Sequence, residues 1–404
     1  MSLAVLALVL LPHYAGAQTQ TTTLVIQNQN GVVISGLNIS TTSGDCIQII
    51  NSTNITIQQS QIGPCGTNGT TNNSRGVYVS GGSGINIYDN YVHVENQASV
   101  CGDSHDGIFI GGSADTVNIQ GNVIAYNEQN IRMWDASNVH IIGNFVLNPR
   151  GALSCSDPDN LPGHSIQAWA DGGTGYWNSN IAVSNNYLLN SGNTSAYKYP
   201  SNDSDSISAG VTHGFTANGN YVVGGNYTNG CGVISDAGTT NANLSGNIIS
   251  NPIGCGIGLS GGPGAVVSNN KILNLTPSSP AATGITINGG QCPISVTGNI
   301  ASAFQGSGPN QGAWNQAYWS SGSCSAPTLS GNTFDTGCTL PNCPAYNLLY
   351  PMASTNPPPL IPPQPYACVA TSPYSTQTSK PACATASLPP PPPSPPPGRK
   401  KHSS

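Results

Sequence analysis

CGDSHDGIFIGGSADTVNIQGNVIAYNEQNIRMWDASNVHIIGN, residues 101–144, contains one structural phrase twice. A short alternating apolar run (Ile108 and Ile110; Ile131 and Met133) precedes a polar turn, and a second run (Val117 and Ile119; Val139 and Ile141) closes on Gly-Asn. Period-two alternation over so few residues marks a strand with one face buried. Asp103, His105, Asp106, Glu128 and Arg132, much of the chain's scarce charge, belong to the same stretch.

Outward from here the phrase recurs, closed each time by an Asn: Asn90, Asn122, Asn144, Asn186, Asn220, Asn247, Asn270, Asn299 and Asn332. The gaps run from 22 residues (Asn122 to Asn144) to 42 (Asn144 to Asn186), so the shortest unit is the repeat and the surplus lies in loops. Three runs make up each unit. One precedes the Asn (Ile85-Asn86-Ile87), one follows it (Val123-Ile124), and the third follows a loop of variable length (Val77-Tyr78-Val79, Ile108-Phe109-Ile110). A constant motif at an irregular period fits a stack of coils, in which only the inward residues are constrained. Asn suits the sharp bend because it tolerates a left-handed backbone and can form a side-chain ladder with the Asn of the next coil.

Three strands per coil, stacked about 4.8 Å apart, predict an all-β, right-handed parallel β-helix of roughly ten coils. In this respect residues from about Thr22 to Asp335 resemble the pectin-lyase-like superfamily, a fold that hosts lyases, hydrolases, epimerases, adhesins and tailspikes.

Around this domain, 22–336, the sequence divides simply. Residues 1–17 read as a secretory signal: a short apolar run from Ser2 to Leu11, then Ala15-Gly16-Ala17 at a cleavage position. That run is far below the ~20 apolar residues of a membrane span. Residues 337–387 form a Cys- and Pro-rich segment expected to be irregular, and 388–404 a polyproline tail expected to be disordered, similar to the hydroxyproline-rich segments of plant and algal wall glycoproteins.

Composition excludes several functions. With 49 Gly and 6% charged residues among 404, the chain is too poor in Glu, Lys and Arg for a helix-rich enzyme. A net charge of −6 with nine basic residues excludes a nucleic-acid surface. Twelve cysteines and sequons such as Asn54, Asn226 and Asn243 agree with an extracellular glycoprotein, expected to be monomeric and to have no membrane partner. Cys231 and Cys255 share a rung of adjacent coils, and Cys292 and Cys324 share a turn, so both pairs fall within disulfide reach. Cys65, Cys101 and Cys155 lie in long loops with no partner assigned.

The superfamily resemblance places a site on the groove beside the third run. Aligning the coils on the first inward residue of that run puts Asp45, Arg75, Asp106, Gln129, His164 and Asp205 two positions before it in successive coils. His105 and Glu128 stand three before it, Arg132 one after, and Trp134 and Trp169 three after, facing outward. Groups about 5 Å apart on neighbouring rungs can act on one sugar ring. Asp106 or Glu128 is then a proton donor to a glycosidic oxygen. His164 beside Asp205 is a carboxylate-supported imidazole, Arg132 and Arg75 are partners for a uronate carboxylate, and the two indoles are stacking faces. An Asp at a loop-to-strand junction also has a structural use, accepting backbone N–H bonds. The acidic residues crowd between Asp103 and Asp236, whereas residues 256–316 contain none, which favours a site.

Two further resemblances bear on the reaction. Gly44-Asp45-Cys46-Ile47 and Gly163-His164-Ser165-Ile166 are similar to polygalacturonase motifs, although Gly44 replaces the first Asp of the pair and no Arg-Ile-Lys occurs. Asp103-Ser104-His105-Asp106 resembles the Asp-Pro-His-Asp of mannuronan epimerases. That likeness implies that His105 moves the C5 proton, assisted by Asp103 and Asp106, while Arg132 neutralises the uronate. The expected partner is a polysaccharide, of acidic or cell-wall type. The expected activity is lyase, epimerase or hydrolase chemistry, the alternative being a noncatalytic adhesive protein that binds glycan in the same groove. No cofactor is required, although Asp103, Asp106, Asp157 and Asp159 are the oxygen ligands a Ca2+ ion takes.

Overall fold

A computed structural model describes residues 18–66, 74–93, 106–149, 163–170, 175–190, 204–224, 230–252, 254–273, 283–302, 317–321, 324, 326–335 and 342–354. The runs that follow the bend form one parallel sheet of twelve strands, from Gln18–Gln20 to Thr333–Phe334. This is longer than the nine Asn markers indicate, because the bends before Leu37–Ile39 and Gln61–Ile62 use Gly36 and Ser60 in place of Asn. The other two runs line two further faces. They are separate strands in most coils and fuse in three neighbouring long ones, Val77–Tyr88, Asp106–Gln120 and Gln129–Ile142, where the register shifts after Gly111.

Inside, identical positions stack. Ile47, Val77, Ile108, Ile131, Ile166, Ile207, Val233, Ile257 and Ile285 lie in register from coil to coil, and all are fully buried. Each such side chain contributes roughly 1.5–3 kcal/mol relative to exposure. Every coil therefore adds its own share of core, and no coil requires a distant one.

The Asn ladder forms as expected from Asn90 to Asn332. Asn186 is representative: its Nδ2 donates to Ile141 O at 2.9 Å and to Asn220 Oδ1 at 3.0 Å, while its Oδ1 accepts the backbone N–H and Nδ2 of Asn144. One expectation is corrected. The left-handed residue at the bend is the one before the Asn (Asp89, Gly121, Gly143, Asn185, Gly219), and the ladder Asn keeps a negative φ. That arrangement turns the Asn amide inward, where it replaces the backbone partners that the bend removes.

A second correction concerns the segment expected to be irregular. An α-helix, Pro344–Ser354, lies against the strands Lys271–Leu273, Ile300–Ser302 and Thr333–Phe334. Its N-terminus is capped at long range, with both carboxylate oxygens of Asp335 accepting the N–H groups of Ala345 and Tyr346. Among the described residues, disulfides join Cys46 to Cys65, Cys231 to Cys255 and Cys292 to Cys324. No described helix is long and apolar enough to cross a membrane.

Candidate functional site

The register sets the ladder of charges. Asp106 pairs with Gln129, and the pairings Ile47 to Val77, Val77 to Ile108, Ile131 to Ile166 and Ile166 to Ile207 carry Asp45, Arg75, His164 and Asp205 into the same row. The row divides into two clusters with different environments.

In the first cluster the charges satisfy one another. Asp45 accepts the Arg75 backbone N–H at 2.8 Å and Gln48 Nε2 at 2.9 Å. The Arg75 guanidinium lies between Asp45 (3.9 Å) and Asp106 (3.7 Å), and over the rings of Tyr78 and Phe109 at 4.5 and 4.7 Å. At 3.7 Å the Arg75–Asp106 contact is an ion pair, too long for a hydrogen bond, and neither Asp106 oxygen has a hydrogen-bond partner. Asp106 is 0% exposed. Burial pushes its carboxyl up to about 6, Arg132 and Arg75 pull the other way without cancelling that effect, and Asp45 reinforces it. Burial likewise raises Asp45. The expected proton donor Asp106 is therefore enclosed, with no open face for a sugar, and the expected uronate ligand Arg75 is bound up with two carboxylates and two rings.

In the second cluster the charged side chains are partly exposed. His164 Nε2 lies 3.7 Å from Asp205 Oδ2, both side chains partly exposed, while Asp205 Oδ1 accepts the Cys231 N–H at 2.7 Å. That bond fixes the carboxylate in the orientation that faces the imidazole. Gln167 Nε2 lies 3.4 Å from each ring nitrogen, within hydrogen-bond distance of either. Asp236, raised by burial and next by Asp205, also feels the His164 charge. On the neighbouring coil Arg132 pairs in register with Gln167, and its guanidinium lies 5.7 Å from the Trp134 ring centroid. Trp169 lies across Gly210 of the next coil, where a Cβ would strike the indole.

Glu128 is largely buried, beside Gln129. Asp103, His105, Asp157 and Asp159 lie outside the described residues, so that of the epimerase-like motif and of the calcium ligands only Asp106 is described. Among the described residues no three His, Cys, Asp or Glu side chains are grouped to hold a metal ion. Of the outward row one residue after the reference position, sequence reasoning named Arg132 alone; the register adds Tyr78, Phe109, Gln167 and Ser208. The same register reads it directly; Tyr78, Phe109 and Arg132 are partly exposed, whereas Gln167 and Ser208 are buried.

No family model and no curated protein matches the chain. Among solved structures, the periplasmic alginate epimerase AlgG is similar at 12% identity and TM-score 0.46, over 78% of this chain and 75% of that one. PfbA, a surface adhesin of Streptococcus pneumoniae, is similar at 14% and 0.42, over 67% and 62%. DFA-IIIase from Arthrobacter chlorophenolicus A6 is similar at 12% and 0.38, over 79% and 82%. Likeness at this level assigns no activity. The chain's own parallel sheets settle its architecture. It is a parallel β-helix.

Proposed function

We propose that the protein is an extracellular, monomeric β-helix protein that binds an acidic polysaccharide along the groove and removes a proton from a bound uronate. His164 is the base, held by Asp205, and Arg132 pairs with the sugar carboxylate. The observation that carries this reading is the partly exposed His164–Asp205 pair one coil from Arg132. A carboxylate beside a neutral imidazole orients it and stabilises the imidazolium formed on proton uptake. A guanidinium on the substrate carboxylate spreads the charge that develops when the C5 proton leaves. Trp134 and Trp169 supply flat faces for neighbouring sugars. The disulfides agree with an oxidising compartment.

A second reading, glycan binding without chemistry, is favoured by the first cluster, where Asp45, Arg75 and Asp106 engage each other and leave no free acid on that part of the surface. One experiment separates the two. The protein is incubated in deuterated water with polygalacturonate and with alginate, and C5 exchange, unsaturated ends and reducing ends are followed. C5 exchange lost about 100-fold or more in His164→Gln, the scale of a general base, supports the catalytic reading. Binding of the polymer with no exchange overturns it.

A further inference from the structure

An aromatic pair unused by the chemistry stands on the two coils that carry His164 and Asp205. Trp177 lies flat on His213, with ring centroids 4.3 Å apart and planes 13° apart. The imidazole is itself held, its Nδ1 lying 2.8 Å from Thr240 Oγ1. Trp177 is 39% exposed and the adjacent Tyr176 48%, the two most exposed described aromatic side chains. Elsewhere on the surface rings stack within rows and are half covered, as Tyr187 is on Tyr221.

The backbone fixes this pair. Trp177 precedes the strand Asn178–Ser184, in which Ser179 is in register with His213. His213 follows a corner at Val211, where φ is 51°. The same corner is occupied by Asn51, Gly81, Gly112 and Asp135 in earlier coils, residues suited to that conformation. A β-branched residue there costs of order 1–3 kcal/mol. It is held by Val211 N–H to Ala237 O at 2.9 Å and Asn178 N–H to Val211 O at 3.3 Å.

The two coils that carry this pair also carry the groove. Trp169, on the strand with Gln167, and Gly210, on the strand with Ser208, lie in one register row. Trp177 precedes the next strand of the coil that carries Trp169, and His213 lies on the next strand of the coil that carries Gly210. A solvent-facing indole braced from behind is preorganised for a flat apolar ring face, since it gives up little rotamer freedom on binding.

We propose that Trp177, backed by His213 and flanked by Tyr176, is a remote subsite that stacks a pyranose ring of the polysaccharide occupying the His164 groove. This rests on the reading above for the polymer's identity and on the aromatic geometry for the subsite. It makes affinity depend on chain length, because only a long oligomer reaches both places.

The test is calorimetric binding of galacturonate and mannuronate oligomers, each as a trimer and as a dodecamer, to the wild type and to Trp177→Ala, Trp177→Phe and His213→Ala, with folding checked by circular dichroism. The wild type is expected to prefer the dodecamer. Trp177→Ala is expected to weaken dodecamer binding about tenfold, or 1.4 kcal/mol, and to lose the length preference, while Trp177→Phe retains part of it. Dodecamer affinity unchanged in Trp177→Ala, or a wild type that binds neither dodecamer, overturns the subsite. A length preference that depends on Trp177 in a protein without C5 exchange leaves the subsite standing and removes the proposed chemistry.

Discussion

Replacing Asp106 with Asn tests whether the buried carboxyl of the first cluster weakens or strengthens the fold. Its folded-state value is about 6 against an ordinary 3.8, about two pH units, each worth about 1.4 kcal/mol. Because the folded value is raised, the native state binds the proton more tightly than the unfolded chain between those limits. Its contribution is most favourable below pH ~4 and is lost as pH rises through ~6, a loss of about 3 kcal/mol. Asp106→Asn removes the titration and leaves Arg75 its contact with Asp45. Both Asp106 oxygens lack hydrogen-bond partners, so a buried Asn amide adds a penalty of ~1–3 kcal/mol. That penalty is the same at every pH and drops out of the slope. The assay is urea unfolding of both proteins at intervals from pH 4 to 7.5. Wild-type stability minus variant stability is expected to fall by about 3 kcal/mol across the window. A difference that stays flat, or rises with pH, refutes the argument and shows that the arginines overcome the desolvation of Asp106.

Two other sites give independent checks. Asn186→Ala deletes a ladder amide and leaves Ile141 O and the Asn144 N–H buried without their partners; at 1–3 kcal/mol each a loss of about 2–6 kcal/mol is expected in the same unfolding assay. His93 packs on Tyr91 with its Nε2 buried and unpartnered, and burial lowers its pKa to about 4. Its contribution is therefore retained above pH ~6.5 and lost as pH falls to ~4, opposite in sign to that of Asp106. His93→Phe keeps the ring stack and is expected to remove about 3 kcal/mol of acid sensitivity, seen as a flatter stability curve below pH 6.5.

The two clusters explain why charge in the sequence did not equate to catalysis. Asp45, Arg75, Asp106, His164 and Asp205 share one row, and the alignment found that row. Their chemical states depend on what covers them. Asp106 is enclosed beneath Arg75, Tyr78 and Phe109, whereas His164 keeps part of its ring exposed. The Cys46–Cys65 bridge and the capping of Pro344–Ser354 by Asp335 were illegible for a similar reason. Each joins residues on different coils, or on a coil and a helix, and local pattern does not carry such a pairing.

By itself the sequence determined the repeat: period-two apolar runs, a closing Asn, loops of free length, and hence the parallel β-helix. It did so because each coil buries its own inward residues against an identical neighbour, so the signal is local and recurs. Only the tertiary structure decided which residue takes the left-handed bend, which acids are enclosed and which imidazole stays open. Burial, and with it proton affinity, is set by side chains one coil above and below, 22 to 42 residues away in the chain between Asn122 and Asn186.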